Sequence, residues 1–123
     1  MSHRTATFSL EKKLKREWIK MLRSGKYPQG QEYLFVDGSY CCLGLLCKAS
    51  GMEDFKLLHN PFPQHVGFGT DLDNVPVGKY DEEEYQWSVL YKGRMTPLSV
   101  LNDREKLSFN QIADLIERYV PTH

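Results

Sequence analysis

Cys41, Cys42 and Cys47 are the first residues of this chain whose types invite chemistry. They crowd into Tyr40-Cys41-Cys42-Leu43-Gly44-Leu45-Leu46-Cys47, the most apolar window of an otherwise polar sequence. A zinc site needs ligands paired at short fixed spacing. These three lack that pairing and have no histidine close by in sequence. Adjacent cysteines in a strand point to opposite faces, so Cys41 and Cys42 are poor chelating partners there. A helix N-terminus can activate a thiol, but no neighbouring histidine supports that use. The plain reading is three small buried apolar residues. An odd cysteine count also argues against a secreted disulfide framework.

His59 and His65 share a long polar stretch with Asp71 and Asp73, while His3 and His123 are terminal. Such groups can bind a metal or move protons, but this spacing matches no recognisable site. Glycine-rich phosphate loops, nucleophile elbows and zinc-protease helices are missing from the sequence. No catalytic residue, metal or cofactor is expected. What remains is a set of loop residues of the kinds that line pockets for planar, phosphate-bearing ligands. They are Tyr27, Gln29, Gln31, Trp87, Arg94 and Asn102. Aromatic rings stack, arginine forks a phosphate, and an amide reads a base edge. The bland alternative for each is a structural surface role.

Charge is balanced overall but unevenly placed. Of 16 basic residues, eight lie in the first 26 positions, against two acids there. Residues 32–84 hold ten acids and three bases. The folded chain should have a basic end and an acidic middle. A basic end attracts small anions or nucleic acid, or simply solvates a helix face.

The elements that must position these residues follow from periodicity and turn chemistry. A chain of 123 residues is one domain by size. Residues 1–8 read as a flexible arm. Ser9 reads as a helix N-cap, and Leu10, Leu14, Trp18, Met21 and Leu22 recur at helical spacing up to a stop at Gly25. Lys12, Arg16, Lys20 and Arg23 fall on the opposite face, where an anion site or simple solvation would use them. Tyr33 to Val36 and Ser39 to Cys42 read as a hairpin about Asp37-Gly38, with both faces apolar. Leu43 to Ser50 follows as a buried helix, with Gly44 allowing a close backbone approach.

Residues 52–82 form a long loop region rich in Gly, Pro and Asp, with room for a short strand around His65 to Phe68. Asp81 to Glu84 is a solvated acidic run, and Tyr85 to Tyr91 is a strand expected to pair with the hairpin. Thr96-Pro97 starts a short helix to about Asp103. Ser108 to Gln111 carries capping-box spacing ahead of the stripe Ile112, Leu115, Ile116 and Tyr119, which Pro121 ends. The last two helices invite comparison with a helix-turn-helix. The second carries Asp114 and Glu117 against Arg118 and would face DNA poorly. The expected fold is therefore α+β: an N-terminal amphipathic helix, a small antiparallel sheet with a hairpin, and helices packed on it. The apolar hairpin and small core point to a homo-oligomer, a dimer. No apolar run reaches the roughly 18 residues of a membrane span, and no signal-peptide pattern opens the chain, so a cytoplasmic location is expected.

Three stretches together resemble one family. They are Arg23-Ser24-Gly25-Lys26-Tyr27-Pro28-Gln29-Gly30, the cysteine window from Tyr40 to Cys47, and Leu101-Asn102-Asp103 followed by Ser108-Phe109 and Ile112 to Glu117. The pattern is similar to a group of small proteins widespread in tailed phages and prophages. It covers both ends of the chain, and residues 52–90 have no counterpart. The resemblance carries no catalytic residues. It implies an accessory protein acting on host machinery or defence. Compact oligomers that trap nucleotide second messengers, such as cyclic dinucleotides or cyclic ADP-ribose variants, form one such class. Inhibitors of a host protein form another. The expected function is accordingly non-enzymatic sequestration of a small anionic, nucleotide-type ligand. The alternatives are direct contact with a host or phage protein, DNA binding, and a histidine-dependent enzyme.

Overall fold

The structure is a computed structural model that describes residues 4–67 and 86–123. It is α+β, as expected. Among the described residues there are five helices and two antiparallel two-stranded sheets. In chain order these are α1 (Lys12–Arg23), β1 (Phe35–Val36), β2 (Ser39–Tyr40), α2 (Cys42–Ala49) and α3 (Asp54–Leu57). A 3-10 turn (Pro63–Val66) precedes β3 (Ser88–Tyr91), β4 (Arg94–Pro97), α4 (Leu98–Asp103) and α5 (Phe109–Tyr119).

Helix α2 is the centre of the core. Cys42, Leu43, Gly44, Leu45, Leu46 and Cys47 are all buried, so this helix is apolar on every side. It begins one residue earlier than the sequence suggests, and the strand before it stops at Tyr40. Cys41 has extended backbone and serves as N-cap; Cys42 is the first helical residue. The Cβ alternation assumed for a strand does not apply to this pair. Trp18 on α1 fixes the helix start by donating its indole N–H to the Cys42 carbonyl at 2.8 Å. At Gly44 the backbone of α2 lies directly on the Leu34 carbonyl, leaving no room for a Cβ.

The hairpin turn has the positive φ that Asp37-Gly38 implies, 51° and 77°. It does not pair with the later strand. Both of its edges are already used. Tyr40 N–H donates to the Pro28 carbonyl and Gly30 N–H to the Tyr40 carbonyl, while His59 N–H donates to the Phe35 carbonyl. With no free edge at hand, β3 pairs with β4 instead, through a turn at Lys92-Gly93 with φ of 49° and 79°. The two faces of the hairpin also differ: Leu34 is buried and Tyr33 is exposed.

Residues 4–8 are not a loose arm. Thr7 N–H donates to Ser88 O, and Leu90 N–H donates to Thr5 O, so this segment lies along β3. Ala6, Phe8 and Leu10 are buried, with the Phe8 ring 6.2 Å from Trp18 and 5.2 Å from Trp87. Leu10 N–H is held by the Pro121 carbonyl. A backbone engaged in this way cannot open a helix at Ser9, and α1 starts at Lys12 with Glu11 as N-cap. Thr96-Pro97 is displaced for the same reason. Thr96 pairs with Val89, Leu98 N–H donates to Trp87 O, and α4 starts only at Leu98. Inside the expected loop region, α3 buries Leu57, and His65 lies in the 3-10 turn rather than a strand. Residues 1–3 and 68–85, with His3, Asp71, Asp73, the acidic run and Tyr85, lie outside the described residues.

Helix α5 keeps its capping box. Ser108 Oγ accepts from Gln111 N–H at 3.2 Å, and Gln111 Oε1 accepts from Ser108 N–H at 2.9 Å. Its stripe of Phe109, Ile112, Ala113 and Ile116 packs inward, and α1 runs antiparallel beside it, with Lys15 reaching Val120 and Arg23 reaching Asp114.

The burial of α2 gives a first expected result. Cys42 Sγ sits 3.7 Å from the Leu98 carbonyl, a distance that only sulfur bridges. A serine oxygen lies closer to its own Cβ and falls short of that carbonyl. Cys42→Ser is expected to cost about 1–3 kcal/mol as a buried hydroxyl without a partner, read as a lower urea midpoint with an unchanged slope.

Candidate functional site

Among the described residues, no cleft gathers the six pocket-type residues. Gln29 and Asn102 meet, but in a structural lock. Gln29 Nε2 donates to Asn102 Oδ1 at 2.9 Å and to the Leu107 carbonyl at 2.8 Å, and Gln29 Oε1 accepts from Phe109 N–H. Asn102 Oδ1 also accepts from Cys42 N–H, and its Nδ2 donates to the Gly30 carbonyl and to Asp103 Oδ1. The two amides thereby cap the starts of α2 and α5. Asn102 has all four of its hydrogen-bonding positions filled and cannot also read a ligand. Gln31 accepts from Lys106 Nζ at 3.1 Å. Trp87 is buried, with its indole N–H on Gln64 Oε1, and offers no stacking face to solvent. Arg94 is exposed next to the β3–β4 turn.

Tyr27 lines a cleft of about 600 Å³, together with Glu17, Lys48, Glu53 and Asp54 among others. Its one lysine is committed. Lys48 Nζ pairs with Asp54 Oδ1 at 2.9 Å, and the buried Tyr40 donates its hydroxyl to Asp54 Oδ2 at 2.8 Å. Burial pushes the Asp54 carboxyl up, but those two hydrogen bonds outweigh it and hold the carboxyl below its usual range. It is therefore ionised at neutral pH. Glu17 and Glu53 add negative charge at the rim, so the cleft repels anions.

The thiols are equally unsuited to chemistry. Burial pushes Cys41 up to about 12 and raises Cys42 and Cys47 as well, which keeps them protonated. His59 and His65 are exposed and rest edge-on against Tyr33 and Phe62.

A second groove has the opposite character. It lies between α1, α5 and residues 120–123, has a volume of about 400 Å³, and is lined by Lys12, Lys15, Arg16, Ile19, Glu117 and Thr122. Lys15 is spent on structure: Nζ donates to the Glu117 and Val120 carbonyls, placing a cation at the negative end of α5. Arg23 likewise bridges Asp114 and Glu117, at 2.7 and 2.6 Å. Lys12 and Arg16 are one turn apart on α1 and exposed, and no hydrogen bond or ion pair among the described residues engages either side chain. The sequence singled out this basic face without the groove, because the second wall comes from residues about a hundred positions away.

Residues 10–120 match DUF8296, a domain of unknown function. The chain belongs to the DUF8296 family. No curated protein and no solved structure matches it. The DUF8296 match spans α1 to α5, so both walls of the groove lie inside the family domain, while Thr122 lies just beyond the matched residues. Among the described residues, no helix of this DUF8296 chain is long and apolar enough to cross a membrane.

Proposed function

We propose that this protein is a non-enzymatic binder that sequesters a small anionic, nucleotide-type ligand in the groove between α1 and α5. The observation that carries the reading is the pair of uncommitted cations, Lys12 and Arg16, set in a groove with an apolar floor at Ile19. A groove of about 400 Å³ is at the lower end of small-molecule sites, which run from roughly 300 to 1,000 Å³. The likeness to small phage and prophage proteins supports a setting in the host cytoplasm, where the protein, as a homodimer, would withdraw a host defence signal from its receptor.

Thermal-shift measurements with ADP-ribose and cyclic dinucleotides test the proposal. At least one should raise Tm by several degrees at saturation, because a ligand that binds only the native state must stabilise it. The double variant Lys12→Glu/Arg16→Glu should keep its own Tm and lose that shift. A full panel with no shift in the native protein removes the proposal.

One observation favours a second reading, inhibition of a host protein by surface contact. Phe55 is 69% exposed, with Leu58 and Tyr33 also exposed. A partner that the native chain captures and Phe55→Asp does not, with no nucleotide shift, would decide for it.

A further inference from the structure

We infer that the anion held in this groove is a phosphate ester of a sugar with a free vicinal diol, of the ribose 5-phosphate type. The inference rests on the proposed anion site and adds the class of its ligand. The groove is polarised along its length. Leu10 bridges to Thr122 at one end, Lys15 reaches Glu117 and Val120 in the middle, and Arg23 reaches Asp114 and Glu117 at the other. Lys12 and Thr122 therefore stand at one end with Arg16 one turn further along α1, and the Glu117 carboxylate is turned toward the other end by its pairing with Arg23. Lys12 and Ile19 are seven residues apart, about 10 Å along the helix axis. A ligand that fills the groove has a negative group at the first end and a hydrogen-bond donor at the second, with a body that rests on an aliphatic floor.

The Glu117 end decides what kind of donor. Glu117 Oε2 is paired with Arg23 Nη1 at 2.6 Å, which leaves Oε1 to accept further hydrogen bonds. Its charge is already compensated, and an incoming ammonium group would meet the Arg23 guanidinium as well. That arrangement disfavours a zwitterion. A second phosphate at that end is disfavoured too, because Oε1 can only accept and a phosphate ester at neutral pH is likewise an acceptor. Neutral hydroxyls fit: a carboxylate that accepts from sugar hydroxyls is a common way for proteins to hold ribose. Ligands with a free 2′,3′-diol, such as ADP-ribose, are favoured over cyclic dinucleotides, whose sugars each have one hydroxyl esterified.

Titration calorimetry with adenosine 5′-monophosphate, its 2′,3′-dideoxy analogue and inorganic phosphate tests the inference on the full chain. The diol-bearing nucleotide should bind about fivefold or more tightly than the dideoxy analogue, the effect of one or two hydrogen bonds. Glu117→Ala should abolish that ratio while both nucleotides still bind. Asp114→Ala, which removes the other Arg23 partner without touching the groove, should preserve it. Equal affinities in the native protein, with binding still lost in Lys12→Glu/Arg16→Glu, overturn the sugar assignment and leave the anion site standing. No binding by any probe removes both. Tighter binding of inorganic phosphate than of the nucleotide also overturns the assignment.

Discussion

Gly44→Ala is expected to unfold the protein or to lower its stability by more than about 3 kcal/mol, at the upper end of overpacking effects. Helix propensity alone gives the opposite sign, because alanine in place of glycine within a helix is worth about 1 kcal/mol of stability. Gly44 has no positive φ that would demand glycine. The demand comes from tertiary packing. A Cβ built on Gly44 would overlap the Leu34 carbonyl oxygen and lie 2.8 Å from its carbon and 3.1 Å from the Leu34 Cα. Those atoms belong to backbone rather than to the far end of a flexible side chain, so relief requires α2 and the strand segment to move apart. Leu34 is itself fixed on both sides, by its N–H to the Asn60 carbonyl and by complete burial of its side chain. A domain of this size has roughly 5–15 kcal/mol in total, and such a shift would spread through six buried residues of α2. Urea denaturation read by circular dichroism checks the sign. Unchanged or increased stability would mean that α2 does not rest on Leu34.

Gly44 also marks what the sequence makes legible. Its apolar surroundings, the Asp37-Gly38 turn and the Ser108–Gln111 box are local signals, and local chemistry was enough to place them. The segment at residues 4–10 reads wrongly as part of a flexible arm and the start of a helix, although Ala6, Phe8 and Leu10 fall at the strand period and are all buried. What hid it was its position near the terminus, where looseness is the usual expectation. Pairing partners were not legible. Which edge β3 joins depends on Pro28, Gly30 and His59 having already filled the hairpin edges, and no window of sequence contains that competition.

The site divides in the same way. The basic stripe of α1 can be read from spacing, but whether a lysine is free depends on distant partners. Lys15 and Arg23 are spent on α5, whereas Lys12 and Arg16 are not. Gln29 and Asn102 have the right types for a ligand site and are used for folding. An amide that can read a base edge can equally cap a helix.

Asn102 supplies the other large effect. It is 1% exposed and bonds four groups: the Cys42 N–H at the start of α2, the Gly30 carbonyl and the Gln29 amide in one loop, and its neighbour Asp103. Asn102→Ala removes the amide and leaves the Cys42 N–H and the Gly30 carbonyl without it. The expected loss is about 2–4 kcal/mol, since each buried group left unpaired costs about 1–3 kcal/mol. Asn102→Asp is the sharper test because it keeps the shape. The oxygen that replaces Nδ2 would face the Gly30 carbonyl and Asp103 Oδ1, two acceptors.

Burial and the Asp103 charge both raise the pKa of the new carboxyl in the folded state above the ordinary value of about 3.9. The unfolded state then binds fewer protons than the folded one between those two values. The variant should therefore recover stability, relative to the native protein, as pH falls from neutral toward 4, and lose it again as pH rises. A purely steric lesion would be flat across that window. Neither variant removes a group that lines the α1–α5 groove. At a temperature where Asn102→Asp remains folded, anion binding should be retained within about threefold, well under 1 kcal/mol. Loss of binding by the folded variant would return Asn102 to the ligand site and move the site from α1 to the loop that Gln29 and Asn102 hold.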